Sequence, residues 1–198
     1  MRANHLAFYL QLAEEAEPQL RMGKQLVWLA RLEVEHDNLR TALEWAIDQP
    51  TPEQALRLAG ALARFWYLRG YWNEGRHWLR TVLNRGEGHN SIPVTRARIK
   101  ALAGAGWLAD EDGSDIPFYS QALALARQIG DRWHEAFSLR GLAAVTTDWA
   151  NLAQAGPQLD ASLAIFTELA DPWGMALVRF NLGWLALERD DTAQAEAV

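Results

Sequence analysis

The sequence contains no cysteine and no long hydrophobic run. Without thiols the chain can form neither disulfides nor zinc–thiolate centres, which fits a reducing compartment, and we therefore expect it to be cytoplasmic. No apolar segment approaches the roughly 20 residues that cross a bilayer. The polar residues between Met1 and Gln11 also rule out a signal-peptide core in that stretch.

Positive charge is scarce as well. The 19 Lys and Arg residues are outnumbered by 25 Asp and Glu residues, for a formal net charge of −6. Binding to the phosphates of nucleic acid or to anionic lipid needs a local excess of cations, so we expect neither nucleic acid nor membrane as a direct partner. A hydrophobic content of 49% over 198 residues is instead typical of a folded chain with a large core.

The motifs that would carry catalysis, a cofactor or a metal are missing. Gly23-Lys24 cannot belong to a phosphate-binding loop, because Pro18 stands where that loop needs its first glycine. His134-Glu135 has Ser138 in place of the second histidine of a zinc-protease helix. The acidic stretch 110–115 lacks the glycine position of a calcium loop. The sequence therefore predicts no catalytic, cofactor or metal site, and no enzyme.

An internal repeat runs through the second half of the chain. Trp133 recurs as Trp173, which is 40 residues further on. The residues that recur at this spacing, identically or as a small residue, are Asp131, Trp133, Ala136, Leu142, Ala143, Ala153, Gln154 and Ala155. A fixed period of this size indicates a solenoid, in which each unit buries its apolar face against the next.

Each repeat unit has the pattern of two helices. Leu58, Leu62 and Phe65 recur at spacings of three and four, which predicts a helix that Gly70 ends. We expect the next helix to begin near Asn73, whose side chain suits an N-cap. No segment alternates with a period of two, so the sequence predicts an all-α, helix-turn-helix repeat solenoid.

We divide the predicted solenoid at its turn signals. Residues 1–50 form an N-terminal helical cap or adaptor, and residues 51–198 form the repeats. The repeat units are expected at about 53–90, 93–130, 131–170 and 171–198. Since Val198 falls one turn into a helix, the last unit is expected to be truncated and to expose Leu185 and Leu187, which predicts weak self-association at that end.

Two resemblances to known families add to the prediction of a helical repeat solenoid. Leu182, Gly183, Ala186 and Ala195 stand in an order that resembles the tetratricopeptide pattern, which implies a right-handed superhelix. A second resemblance, to the sensor region of bacterial STAND-type regulators of the LuxR/MalT-like kind, rests on the segments Glu35–Trp45 and Phe65–Leu79. In that family the region follows a nucleotide-binding ATPase, and some members carry a LuxR-type DNA-binding domain. The resemblance implies a sensing arm for a peptide, protein or small ligand.

The tetratricopeptide pattern also implies a concave groove lined by the first helix of each repeat. The residues expected to line it are Arg57, Arg64, Tyr67, Lys100, Trp107, Arg140, Phe180, Asn181 and Trp184. Arginine and lysine there indicate a ligand that presents carboxylates, and the aromatic rings would bury its apolar part. In the opposing interpretation these side chains only pack the inner wall, or are neutralised by Asp110, Glu111, Asp148 and Glu188.

Two functional hypotheses remain open from the sequence. The first is a sensor module of a signal-transduction regulator whose ligand biases an attached ATPase or effector domain. The second is a free-standing scaffold that joins protein partners without a nucleotide switch.

Overall fold

The structure is a computed structural model that describes residues 2–109, 115–145 and 152–188. Ten α-helices and no β-strand occur in these ranges, which confirms the all-α prediction. The helices are α1 (Arg2–Gln19), α2 (Gln25–Val34), α3 (His36–Ile47), α4 (Glu53–Arg69), α5 (Trp72–Arg85), α6 (Ile92–Leu108), α7 (Asp115–Ile129), α8 (Arg132–Val145), α9 (Leu152–Glu168) and α10 (Pro172–Glu188).

The chain divides into two compact units, Met1–Asp110 and Glu111–Val198. The first contains α1–α6 and the second α7–α10. The helices predicted as a cap, α1–α3, thus belong to the same unit as α4–α6, and α1 packs directly against α4. The bounds of the individual repeats remain a prediction.

The core of the first unit forms around α4, which packs against α1, α5 and α6. Its predicted stripe is fully buried, since Leu58, Leu62 and Phe65 are each at most 1% exposed. Glycine is required where α6 meets α4: a Cβ on Gly104 would lie only 2.5 Å from the Cβ of Ala63. The two helices therefore approach more closely than a larger residue at that position would allow.

The turn between α4 and α5 agrees with the sequence at one end and differs at the other. Gly70 closes α4 in the left-handed conformation, with φ of 75°, as predicted. The expected N-cap, Asn73, instead lies inside α5, which begins at Trp72. The reason is that the amide of Tyr71 already donates to the carbonyl of Trp66 in the closing turn, so the chain enters the next helix immediately.

A polar cluster joins α3 to α5 in the first unit. Glu74 accepts a hydrogen bond from the Nε of Arg40 at 2.9 Å, and the Nε2 of His36 lies 3.0 Å from the same carboxylate. Burial alone would raise the pKa of Glu74, but the hydrogen bonds and charges of Arg40 and His36 outweigh it and hold the pKa below its usual value. The Glu74 side chain is thus ionised and firmly held.

Stacked aromatic rings connect two helices of the second unit. The rings of Trp133 and Trp173 stack with centroids 6.2 Å apart and planes 9° apart, and Phe137 is stacked against Trp133 at 5.2 Å. The Trp133 indole also donates to the carboxylate of Asp171 at 2.7 Å. Asp171 caps α10 as expected from the sequence, because its other oxygen accepts the amides of Trp173 and Gly174.

Candidate ligand-binding surface

Arg57, the first predicted groove cation, is bound by a carboxylate from α1. Its Nε and Nη2 donate to the two oxygens of Glu14, both at 2.8 Å, in a bidentate pair. Glu53 on the same helix adds a weaker contact at 3.4 Å. Arg57 therefore already has the carboxylate partner that the groove hypothesis reserved for a ligand.

Lys100 has a partner of the same kind. Its Nζ lies 2.6 Å from an oxygen of Glu17, and the second oxygen of Glu17 contacts Arg21 at 3.2 Å. Glu14 and Glu17 are one helical turn apart on α1, so they lie on the same side of that helix. We did not expect either of them from the sequence.

Arg64 has different surroundings. Its Nε donates to the backbone carbonyl of Leu20 at 2.8 Å, and its guanidinium carbon lies 5.3 Å from the centroid of the Trp107 ring. Tyr67 is adjacent, with its ring centroid 5.2 Å from that of Trp107. Burial, together with the positive charge of Arg21, lowers the pKa of Arg64 to about 10.

The structure therefore brings together three of the predicted groove residues in the first unit. Arg64, Tyr67 and Trp107 form one cluster, which we call the Arg64 cluster, and Tyr67 is 41% exposed to solvent. The contacts from Leu20 and Arg21 were not predicted, because they come from the turn after α1, more than 40 positions earlier in the sequence.

Arg140 occupies a buried position in the second unit. It is only 8% exposed, its guanidinium lies 4.8 Å from the centroid of the Phe137 ring, and its Nη1 donates to the side-chain oxygen of Asn181 at 3.4 Å. Two predicted groove residues are thus in contact, and one of them, Arg140, is buried. Arg140 does not present an open cation to a ligand.

The outer face of α10 is apolar and exposed. Phe180, Trp184 and Leu187 are 72%, 51% and 54% exposed, and their spacing of four and three places them on one stripe. Leu185, expected to be exposed, is instead buried at 7%, because it belongs to the opposite face of the helix. Three of the carboxylates proposed as neutralising charges, Asp110, Glu111 and Asp148, lie outside the described residues, as does the side chain of Glu188.

The described ranges contain neither a cluster of metal-binding side chains nor a helix that could span a membrane. In residues 2–109, 115–145 and 152–188, no three side chains of the metal-binding types cluster closely enough to hold an ion. Within the same part of the chain, every helix is too short or too polar to cross a bilayer.

Comparison with solved structures identifies a protein of similar fold. The crystal structure of BtubC (BKLC) from P. vanneervenii superposes on the whole of this chain and on 87% of its own chain, with a TM-score of 0.62. The two sequences are only 15% identical, so the similarity concerns the fold alone.

Sequence comparison identifies regulators. The chain is 29% identical over 191 residues to "Putative HTH-type transcriptional regulator Mb0914c" of Mycobacterium bovis, and equally to a protein of the same description, Rv0890c, in Mycobacterium tuberculosis. The match covers 92% of this chain but only 21% of each relative. No family model matches the sequence. These similarities indicate a regulator-like helical domain and no enzymatic family.

Proposed function

We propose that this chain is the sensing region of a transcriptional regulator and that it binds a peptide, protein or small ligand. One observation carries the proposal: 92% of the chain matches regulators of which it spans only 21%. Most of each regulator therefore lies outside the matched region, and in this proposal the DNA-binding part lies there as well. The all-helical structure and the net charge of −6 also suit a domain that recognises something other than the phosphates of DNA.

The helix arrangement supports a tetratricopeptide-like stack within each unit. In the first unit α5 packs against both α4 and α6, and α4 packs against α6. In the second unit α9 packs against both α8 and α10, and α8 contacts α10. In each unit the first helices of two successive helix pairs therefore contact each other, and the helix between them in sequence packs against both. This arrangement is expected when each repeat buries its apolar face against the next repeat.

A ligand can act through such a region only if it prefers one of two states of the whole regulator. The coupling free energy equals the difference in its binding to those states, typically about 1 to 3 kcal/mol. The Arg64 cluster in the first unit and the exposed stripe of α10 in the second are the two candidate contact surfaces. In the arrangement implied by the STAND resemblance, the state that changes is that of an attached ATPase.

A reporter experiment tests this proposal. The full regulator gene that contains this region would be expressed in its host together with a target promoter, with and without an in-frame deletion of α4–α10. We expect the deletion to abolish the response of the promoter to the inducing condition while the protein is still produced. Normal, condition-dependent transcription from the deletion variant would reject the sensing role.

The alternative of a protein-binding scaffold is favoured by the outer face of α2. Leu26, Val27 and Val34 are 79%, 68% and 82% exposed, which is unusual for large aliphatic side chains on one short helix. If the chain is a scaffold, replacing Leu26 and Val34 by Glu should release a protein partner and leave transcription unchanged. A transcriptional effect of the α4–α10 deletion alone would favour the sensor.

A further inference from the structure

The first unit contains a cleft that shares no residue with the Arg64 cluster or with the exposed stripe of α10. It opens between the beginning of α1 and the end of α3 and has a volume of about 530 Å³. The residues that line it are Arg2, His5, Thr41, Glu44, Trp45 and Asp48. Pockets that hold small molecules typically occupy about 300 to 1,000 Å³, so the cleft has room for one.

One wall of the cleft is negatively charged. Glu44 and Asp48 are four residues apart at the end of α3, so their side chains project from the same side of the helix. Within the residues that the structure describes, neither carboxylate forms an ion pair. Arg2 supplies one positive charge against these two negative charges, which leaves the cleft negative when His5 is neutral.

The position of these carboxylates is unfavourable for the chain alone. The C-terminal end of a helix carries partial negative charge, which favours cations there and disfavours anions. α3 ends at Ile47 with Asp48 as its C-cap, and its last turn contains no basic residue. Two like charges one helical turn apart also repel each other. A cation bound in the cleft would offset both effects.

The aromatic wall of the cleft already holds a cation of the chain itself. The guanidinium carbon of Arg2 lies 5.3 Å from the centroid of the Trp45 ring, a distance at which the ring attracts a positive group. Trp45 is half-buried, whereas Arg2 is exposed. Because a cation–π contact at an exposed site is weak, a ligand of the same charge can displace Arg2 from the ring. Arg2 thus marks where a positively charged group of a ligand would lie.

We propose that this cleft between α1 and α3 binds a small organic dication. A guanidinium or ammonium group of the ligand lies on the ring of Trp45, and a second cationic group lies beside Glu44 and Asp48. In the bound state Arg2 moves off the ring into solvent. The inference goes beyond the proposed sensing function, because it assigns a ligand to helices that the sequence predicted only as a cap or adaptor.

The test uses agmatine and 4-guanidinobutyrate as probes of the ¹⁵N-labelled chain. Both carry a guanidinium on a short carbon chain, but the far end is an ammonium in agmatine and a carboxylate in 4-guanidinobutyrate. The indole N–H signal of Trp45 would be assigned by its loss in Trp45→Phe. We expect agmatine to shift this signal with a Kd about fivefold or more below that of 4-guanidinobutyrate, because only agmatine presents a second cation to the carboxylates. A Trp45 signal that agmatine does not move, or equal affinity for the two probes, would overturn the proposal.

Two double variants locate the second cationic group. Glu44→Gln combined with Asp48→Asn should weaken agmatine binding about fivefold or more. The matched control combines Glu87→Gln with Asp160→Asn, which removes the same two charges from exposed positions outside the cleft, and it should bind normally. Normal binding of agmatine by the cleft variant, or equal weakening in both variants, would contradict the inference.

Arg2→Gln distinguishes displacement of Arg2 from its participation in binding. If Arg2 only occupies the ring, its removal should tighten agmatine binding about twofold or more, because the ligand no longer competes for Trp45. Weaker binding by Arg2→Gln would make Arg2 a ligand contact and would rule out the proposed displacement by a dication.

Thermal unfolding checks that the cleft variant still folds. It should melt at the same temperature as the parent or slightly above it, because the substitutions remove carboxylates from the negative end of α3. A clear loss of thermal stability would assign Glu44 and Asp48 a structural role and would reject the site. The sensing function is tested separately, since the deletion of α4–α10 leaves α1–α3 in place. If agmatine does not bind while promoter control still depends on α4–α10, the cleft proposal fails and the sensing function stands.

Discussion

A predicted groove cation has different surroundings in the two units. Lys100 in the first unit keeps 28% of its side chain exposed and pairs with Glu17 of α1. Arg140 in the second unit is 8% exposed and lies against the ring of Phe137. Both were expected to line the same groove. The comparison shows that a repeat pattern determines which face of a helix a residue occupies, whereas neighbouring side chains determine whether that face is open.

The polar and aromatic contacts between helices also differ in the two units. In the first unit, ion pairs connect α1 and α3 to the helices that follow, as in Arg57–Glu14 and Arg40–Glu74. In the second unit, the stacked rings of Trp133, Phe137 and Trp173 connect α8 to α10. Ion pairs are weakened by salt and by acid, while stacked rings are not. The four predictions below test this contrast.

The largest effect is expected from Trp133→Ala in the second unit. The change removes the stacked contacts with Phe137 and Trp173 and the hydrogen bond to Asp171. Large-to-small aromatic changes in a core cost about 3 to 5 kcal/mol, and we expect about 3 because Trp133 is only half-buried. Hydrogen exchange followed by mass spectrometry should show faster exchange across α8 and α10.

Trp184→Ala is the control for this prediction. Trp184 is 51% exposed on the outer stripe of α10, so its loss should change the unfolding free energy by about 0.5 kcal/mol or less. Equal destabilisation by the two changes would mean that the ring stack does not hold the second unit together.

The next effect concerns the two cations directly. Arg140→Ala should destabilise the second unit by about 2 kcal/mol, because it leaves a cavity against Phe137 and removes the donor to Asn181. Lys100→Ala should cost the first unit about 0.5 kcal/mol, as expected for a pair near the surface. Urea unfolding measures both. A larger loss for Lys100→Ala would reverse the contrast between the units.

Acid should act on the first unit through Glu74. The pKa of this carboxyl is held below its ordinary value of 4.5, so its contribution to stability is fully present above that pH and is lost as the pH falls through the folded-state pKa. Glu74→Gln should cost about 1.5 to 2 kcal/mol at neutral pH, since bonds to a charged group are lost. Below the folded-state pKa of Glu74 the variant and the parent should converge in stability.

Glu168 provides the control in the second unit. It pairs with Arg132 at 2.9 Å, but its own side chain is 65% exposed, whereas that of Glu74 is 16% exposed. We expect Glu168→Gln to leave the free energy of unfolding almost unchanged, because water screens an exposed pair. An equal cost of Glu74→Gln and Glu168→Gln would contradict the special role of the cluster at Glu74.

The sequence predicted the helical class and several helix boundaries because those depend on local signals. Gly70 and Asp171 ended and began helices as expected, since a left-handed turn and a side-chain cap act within a few residues. The prediction of Asn73 as an N-cap was wrong, because the turn around Gly70 leads directly into α5, which begins at Trp72.

The surroundings of the groove residues could not be predicted in the same way. Glu14 reaches Arg57 across 43 positions and Glu17 reaches Lys100 across 83, and no periodicity links such distant residues. The burial of Arg140 could not be predicted either. The repeat pattern around an arginine at a groove position is the same whether its side chain faces solvent or, as here, packs against Phe137. A weak signal did exist for α1, whose Glu14 and Glu17 share one face of a helix before Pro18.

Glu14→Gln has a smaller expected effect than Glu74→Gln and tests the ionic contacts of the first unit most directly. The Glu14–Arg57 pair has good bidentate geometry, but its side chains are 32% and 39% exposed, so water screens it and we expect a cost of about 0.5 to 1 kcal/mol at low salt. At about 1 M NaCl the Debye length falls to about 3 Å, and the difference between variant and parent should largely disappear. The cost of Trp133→Ala in the second unit should persist under the same conditions, because stacking and burial do not depend on screened charge. Parallel urea titrations of the two variants at both salt concentrations make this measurement. If the Glu14→Gln difference survived high salt, the pair would be acting through packing, and the proposed distinction between an ionic first unit and an aromatic second unit would fail.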